Sequence, residues 1–231
     1  MGNIRNWLAA LGRDPLRATL ADALQIQVDP ALVRDYALPG YVRYKHVRAP
    51  WLRRWVKKNP VYPLIKGRAP LVLAGNWDEG CMPFASTPVY TFLADLQACA
   101  FEYKRTHFYR ALLSDLQAGK RRSYKSLLLD SEQAIEQLFE GYVRVFKSMM
   151  AEGYKADKAL DPICVMVGRD GRLIKEEKGR HRLAIAQLVG VERVPVLVRH
   201  IHPGWLATVG GEGGSCHGPD NVLRALQRLS V

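Results

Sequence analysis

The stretch Lys178-Gly179-Arg180-His181-Arg182-Leu183-Ala184-Ile185-Ala186, followed by Gly190 and then Val194-Pro195-Val196-Leu197-Val198, decides the fold. It reads as a tight turn that feeds a helix from about Arg180 to Val189, and then a buried strand from Val194 to His200. Gly179 lets the backbone approach its neighbours closely. Two arginines and a histidine crowd the first turn of the helix. Free backbone N–H groups and the positive end of the helix dipole already favour an anion there. Guanidinium forks beside such a turn suit it to phosphate.

Working outward, Pro162 to Val167 reads as a strand, Arg169-Asp170-Gly171 as a turn and Leu173-Ile174 as a short return strand. Ser131 to Glu152 is a helix with Ser131 as N-cap and Gly153 as stop. Its core stripe is Ile135, Leu138, Phe139, Tyr142, Val143 and Phe146. Further helices are predicted over residues 4–12, 15–26, 88–97, 106–118 and 221–229, with Asp14-Pro15 opening the second. Pro70 to Gly75 reads as a short strand ahead of Gly75-Asn76-Trp77-Asp78-Glu79, and Gly210-Gly211-Glu212-Gly213-Gly214 as a linker.

The pattern Gly-Arg-His-Arg-Leu-Ala-Ile-Ala, a Gly-ended helix and a Val-Pro-Val strand resembles the signature of the ParB/sulfiredoxin-like superfamily, over roughly Leu138 to His202. That resemblance implies an α/β (α+β) fold: a mixed-sheet core over 131–203, a largely helical and basic N-terminal extension over 1–130 packed on it, and a Gly-rich linker with a short helix over 204–231. It also implies a nucleotide phosphate held at the start of the helix by Gly179, Arg180, His181 and Arg182. The ligand would be ATP, ADP or CTP with Mg²⁺. Arg180 stands where sulfiredoxins carry their reactive cysteine, so sulfinate reduction is not expected. The partition proteins place a helix-turn-helix domain after this unit. Here a linker and one short helix follow it, so DNA binding in that style is not expected.

Composition sets the remaining bounds. The chain has 231 residues, 48% of them hydrophobic and 24% charged, as in ordinary globular proteins. No apolar run approaches the ~20 residues that span a bilayer, and the first residues lack a signal-peptide core, so a cytoplasmic protein is expected. Cys81, Cys99, Cys164 and Cys216 form no CxxC pair, and His200 and His202 lack a third ligand, so no metal site is expected. Of the net charge of +12, nine charges lie between Asp35 and Asp78, an interval without acidic residues. Arg43, Lys45, Arg48, Arg53, Arg54, Lys57 and Lys58 alternate there with Tyr41, Tyr44, Trp51 and Trp55. Basic residues beside stacking rings suit nucleic acid or an anionic surface. A solvated arm with its tryptophans packed on the core is the plainer alternative, favoured by Pro50, Pro60, Pro63 and Pro70.

Three functions follow from these features. The first is a nucleotide-dependent phosphotransferase acting on a small hydroxyl compound. Asp78, Glu79 or Glu177 would supply the carboxylate that holds Mg²⁺ or accepts the hydroxyl proton. Asp78 reads equally as the cap of a turn, Glu176 competes with Glu177, and Arg182 reads otherwise as a salt-bridge partner of these glutamates. Lys178 stands where the superfamily often has Asp, which weakens a metal-binding role for the turn itself. The second function is nucleic-acid binding through the basic aromatic segment 41–68. The third is a regulatory or scaffold protein that keeps the fold without catalysis.

Overall fold

The computed structural model describes residues 14–37, 70–124, 127–156, 161–209 and 218–229. The predicted helix 4–12, the basic aromatic segment from Arg43 to Lys58, the glycine run and Cys216 lie outside the described residues.

Local signals in the sequence open most elements. Asp14 accepts a bond from the Leu16 N–H and starts α1 (Pro15–Thr19), with Pro at the first position. Then come β1 (Gln25–Val28), β2 (Asp35–Tyr36) and β3 (Met82–Pro83). Thr87 caps α2 (Pro88–Ala98), and Thr106 caps α3 (His107–Gln117) through the Tyr109 N–H. An antiparallel pair, β4 (Arg122–Tyr124) and β5 (Leu127–Leu129), precedes α4 (Glu132–Glu152). In α4 the Ser131 side chain caps the first turn, and Gly153 at φ 70° ends the last. The fold-deciding unit is β6 (Ile163–Val167), β7 (Leu173–Lys175), α5 (Arg180–Val189) and β8 (Val194–Ile201). Short α6 (Pro203–Val209) and amphipathic α7 (Pro219–Leu229) close the chain's described part.

The architecture is α/β. Six strands form one mixed sheet in the order β1-β8-β6-β7-β2-β3. β8 runs parallel to β6 and β2 parallel to β7, while the other neighbours are antiparallel. Every residue of β6 is buried, as expected of a central strand covered on both faces. Val165, Val167, Leu173, Val196 and Val198 pack on one face with Leu93, Leu96, Phe139, Phe146 and Leu183 from the helices. Met166 and Ile174 point the other way, onto Ala37, Leu73 and Trp77. Trp77 is fixed there by its Nε1–H donating to the Leu73 carbonyl at 2.7 Å. No helix among the described residues is long and apolar enough to cross a membrane.

Three expectations need correction. The helix predicted over 15–26 ends at Thr19, because Gln25-Ile26-Gln27-Val28 alternates with period two. Ile26 and Val28 are buried, and the segment pairs with Val194–Leu197 at the edge of the sheet. The strand predicted over 70–75 is a single bridge, Val72 to Ile201, after which the chain turns to bury Trp77. The division at residue 131 does not separate an extension from a core. β1, β2 and β3, all from before it, form both edges of the sheet. Likewise α7 packs on β1 and α6 through Val222, Ala225 and Leu226, so the region after 204 is also tied to the body.

Candidate anion site at the start of helix α5

The turn between β7 and α5 is built by close approach. Gly179 is the N-cap of α5 at φ 77°, a left-handed conformation that glycine adopts without strain. A Cβ there would sit 2.7 Å from Ile163 Cα and 3.0 Å from the Pro162 carbonyl oxygen. The Cys164 N–H donates to the Lys178 carbonyl at 3.2 Å, and the Glu176 N–H donates to the Cys164 carbonyl at 3.1 Å. The turn is therefore sewn onto the end of β6, and among the described residues no side chain caps the first turn of α5.

A cleft of about 440 Å³ opens over this helix start, lined by Asp161, Glu177, Lys178, Gly179, Arg180, His181 and Arg182, with Tyr142, Val145 and Ile185 as its apolar wall. All four residues predicted to hold phosphate line it together, and Glu177 joins them. Three cations, Lys178, Arg180 and Arg182, face two carboxylates, Asp161 and Glu177, with the dipole of α5 adding to the positive side.

Each basic side chain is oriented from behind. Arg180 donates to the Tyr36 hydroxyl at 3.1 Å and lies 5.8 Å from the centre of that ring, a cation–π contact. Arg182 donates to the Tyr154 hydroxyl at 3.3 Å and to the Asp161 carbonyl. The salt bridge to Glu176 or Glu177 read as its alternative role is replaced by these two neutral acceptors. A guanidinium carries five N–H donors, so both arginines keep donors for a ligand. Lys178 pairs with Asp161 at 3.0 Å. His181 stacks on Tyr142, with ring centres 5.3 Å apart, and its Nε2 shares a 2.7 Å hydrogen bond with the Tyr124 hydroxyl. Tyr124 belongs to the small β4–β5 pair, which thereby reaches the site.

Beneath the turn lies a residue that sequence reasoning missed. Lys175, the last residue of β7, is fully buried. Its Nζ donates to the carbonyls of Cys164 at 2.7 Å, Glu176 at 2.5 Å and Lys178. Burial pushes its ammonium down to about 7. The available signal was its place two residues after Leu173, on the inward face of a strand.

Asp78 and Glu79, read as catalytic candidates, stand elsewhere. Both pair with Arg169, in the turn after β6, whereas Gly179 lies against the other end of that strand, about 13 Å away along five residues. Asp78 is buried and accepts from the Arg169 N–H at 2.8 Å, from its Nε at 2.9 Å and from its Nη2 at 2.9 Å. Burial alone would raise the Asp78 carboxyl, but these bonds outweigh it and hold the group at about 2. Arg172 adds a bond to the Asp78 carbonyl at 2.6 Å and an ion pair with Asp35. This is a clamp that ties the segment before β3 to the β6–β7 turn. It is not a catalytic pair facing the cleft.

His200 and His202 are both bound to backbone, His200 in the interior and His202 half-buried. His200 is buried with Nδ1 2.9 Å from the Pro70 carbonyl. His202 accepts from the Gly204 N–H at Nδ1, which leaves Nε2–H to donate to the Gly75 carbonyl at 3.0 Å. Cys81, Cys99 and Cys164 are free thiols. Among the described residues no three His, Cys, Asp or Glu side chains are grouped to hold a metal ion. A nucleotide-borne Mg²⁺ needs only one or two protein carboxylates beside its phosphates, and Glu177 and Asp161 are the ones lining the cleft.

No family model matches the sequence, and no curated protein and no solved structure matches the chain.

Proposed function

We propose that this protein binds the phosphates of a nucleotide, ATP, ADP or CTP, at the start of α5. The observation that carries this reading is the convergence of Lys178, Arg180 and Arg182 on one cleft over an uncapped helix start. The cleft volume suits a small ligand, and the wall of Tyr142, Val145 and Ile185 offers the apolar part of such a ligand a surface. The resemblance to the ParB/sulfiredoxin-like superfamily supports the same ligand class.

Within that reading the protein is a phosphotransferase for a small hydroxyl compound. Glu177 is the carboxylate in the cleft suited to accept a proton from the hydroxyl or to hold Mg²⁺, which would neutralise charge on the phosphates. Asp78 and Glu79, held by Arg169, are left out of the chemistry. The regulatory, non-catalytic alternative is an outcome of the same test.

Calorimetric titration of the full chain with ATP, ADP and CTP, with and without Mg²⁺, tests the reading. Arg180→Ala and Arg182→Ala each remove a charged donor, worth about 1.5–3 kcal/mol, or roughly ten- to a hundredfold in Kd. Absence of binding by all three nucleotides at millimolar concentration would refute it. Binding with no phosphorylated product from a panel of hydroxyl compounds would leave the regulatory function standing.

A further inference from the structure

We propose that Lys175 is a positioning residue for the anion at the start of α5: its buried ammonium braces the turn Glu176–Lys178 and couples anion binding to uptake of a proton. The anion half of this inference rests on the reading of the cleft given above, and the brace itself does not.

The geometry is a full match of donors to acceptors. An ammonium has three N–H donors, and Lys175 directs them at three backbone carbonyls, those of Cys164, Glu176 and Lys178. Two of these belong to the turn, and the third belongs to β6. The carbonyls of Cys164 and Lys178 are also the acceptors of the two backbone bonds that sew the turn to β6. One buried cation therefore gathers the oxygen atoms that would otherwise repel one another under the turn, and so sets where Gly179 and the first N–H groups of α5 stand.

A neutral amine cannot do the same. It has two donors and a lone pair, so one carbonyl would lose its partner and face that lone pair in a dry interior, where an unpaired polar group is costly. Protonation and the shape of the turn are thus linked.

The groups facing Lys175 make this linkage sensitive to ligand. Burial is the main force against its charge, and Arg180 and Arg182 on α5 add to it. Glu176 beside it in the turn acts in the opposite sense, whereas the Cys164 thiol on β6, raised by burial, is neutral in this range. Arg199 on β8 pairs with Glu176 at 3.9 Å, Arg17 on α1 lies in the field of Arg199, Glu176 and Cys164, Tyr36 on β2 stands in register with Lys175, and Lys178 and His181 line the cleft above. An anion seated on Arg180 and Arg182 offsets their repulsion and raises the affinity of Lys175 for its proton. By reciprocity, protonated Lys175 raises the affinity for the anion. With its free midpoint near 7, the coupling falls in the neutral range. Binding weakens as pH rises through that range, by up to about tenfold per pH unit for one linked proton.

The test uses the full chain and sulfate, whose charge is constant from about pH 6 to 9, with ATP alongside. Calorimetry in two buffers of different ionisation enthalpy reads proton uptake. Amide NMR of the ligand-free protein follows Gly179 against pH. In the wild type we expect uptake of a fraction of one proton near neutrality, affinity about five- to tenfold weaker at about pH 8.5 than at about pH 6.5, and a Gly179 resonance that titrates. Lys175→Met should bind about tenfold more weakly, with no uptake, a flat profile and a Gly179 resonance that does not move. Lys175→Gln, which keeps two donors and no charge, replaces it if the methionine variant does not fold.

Uptake that persists in the variant would assign the proton to His181 and overturn the proposal. A wild-type Gly179 resonance that stays fixed over the range would overturn it too. If neither sulfate nor ATP binds while Gly179 still titrates only with Lys175 present, the cleft has lost its ligand reading and the brace stands.

Discussion

Gly179→Ala tests the turn that the site depends on, and Gly190→Ala supplies its internal control. Both glycines sit at the ends of α5 with nearly the same backbone, φ 77° and φ 73°. Forcing an alanine into the left-handed region costs about 1–2 kcal/mol at either position. At Gly190 the new methyl group meets no heavy atom within 4 Å, so that cost is the whole effect. At Gly179 the methyl carbon would stand 2.7 Å from Ile163 Cα and 3.0 Å from the Pro162 oxygen. These are backbone atoms at the start of a fully buried central strand, and they have no rotamer by which to yield. Overpacking of this kind adds about 1–3 kcal/mol. The expected losses are therefore about 2–5 kcal/mol for Gly179→Ala and about 1–2 kcal/mol for Gly190→Ala. Urea unfolding followed by circular dichroism reads both, as shifts in midpoint at constant slope. Nucleotide titration should show weakened binding only in the Gly179 variant, because only there must the turn move. Equal destabilisation of the two variants would refute the claim that contact with β6 fixes the turn.

Other outcomes follow from the same structure. The Asp78 carboxyl, held at about 2 by Arg169, stabilises the fold above its ordinary range near 4, and that contribution is lost as pH falls from about 4 through 2. The loss should be about 1–2 kcal/mol, discounted because the Arg169 side chain stays 39% exposed, and Asp78→Asn should flatten the acid limb of a stability-against-pH curve. Phe139, fully buried among the rings of Phe92, Tyr103, Phe108 and Tyr109, should cost about 3–5 kcal/mol when cut to alanine, measured by the same urea melts. Tyr124→Phe removes the hydroxyl that holds His181 and should cost about 1 kcal/mol of stability, with a change in the His181 ring resonances as its local signature.

The unit from Ile163 to Ile201 was legible because its punctuation is local. Gly171 and Gly179 occupy turns at positive φ, Gly190 ends a helix, and Val194-Pro195-Val196 opens a strand. Ser131 and Gly153 bracket α4 for the same reason. The misread pieces are those whose state is decided at a distance. Leu16, Leu20 and Leu24 carry helical spacing into a segment that becomes a strand only because β8 lies beside it. β2 and β3 are two residues each, too short to leave a period. Asp78 looked available for chemistry because Arg169, its partner, is 91 residues away in the chain. Lys175 falls just past the return strand read as Leu173-Ile174, and its spacing from Leu173 gives only the face it points to, not the three carbonyls that receive it.

The way the sheet is closed bears on how the chain comes to be folded at all. β1 is made early, but among the described residues its one partner strand is β8, with Gln25 facing Leu197 about 170 residues later. At roughly 5–20 residues per second of synthesis, that gap is on the order of ten to thirty seconds. During that time Ile26 and Val28 are without the β8 residues they pair with. The compact unit from β6 to β8 brings its own partners and can assemble from near neighbours, whereas both edges of the sheet must be recruited to it across long stretches of chain. The first strand among the described residues thus cannot pair with β8 until most of the chain is made, and until then the growing chain carries a half-apolar edge without that partner. Such an edge is a ready template for pairing with another copy, so high expression at elevated temperature should favour aggregates nucleated at Gln25–Val28 over native protein.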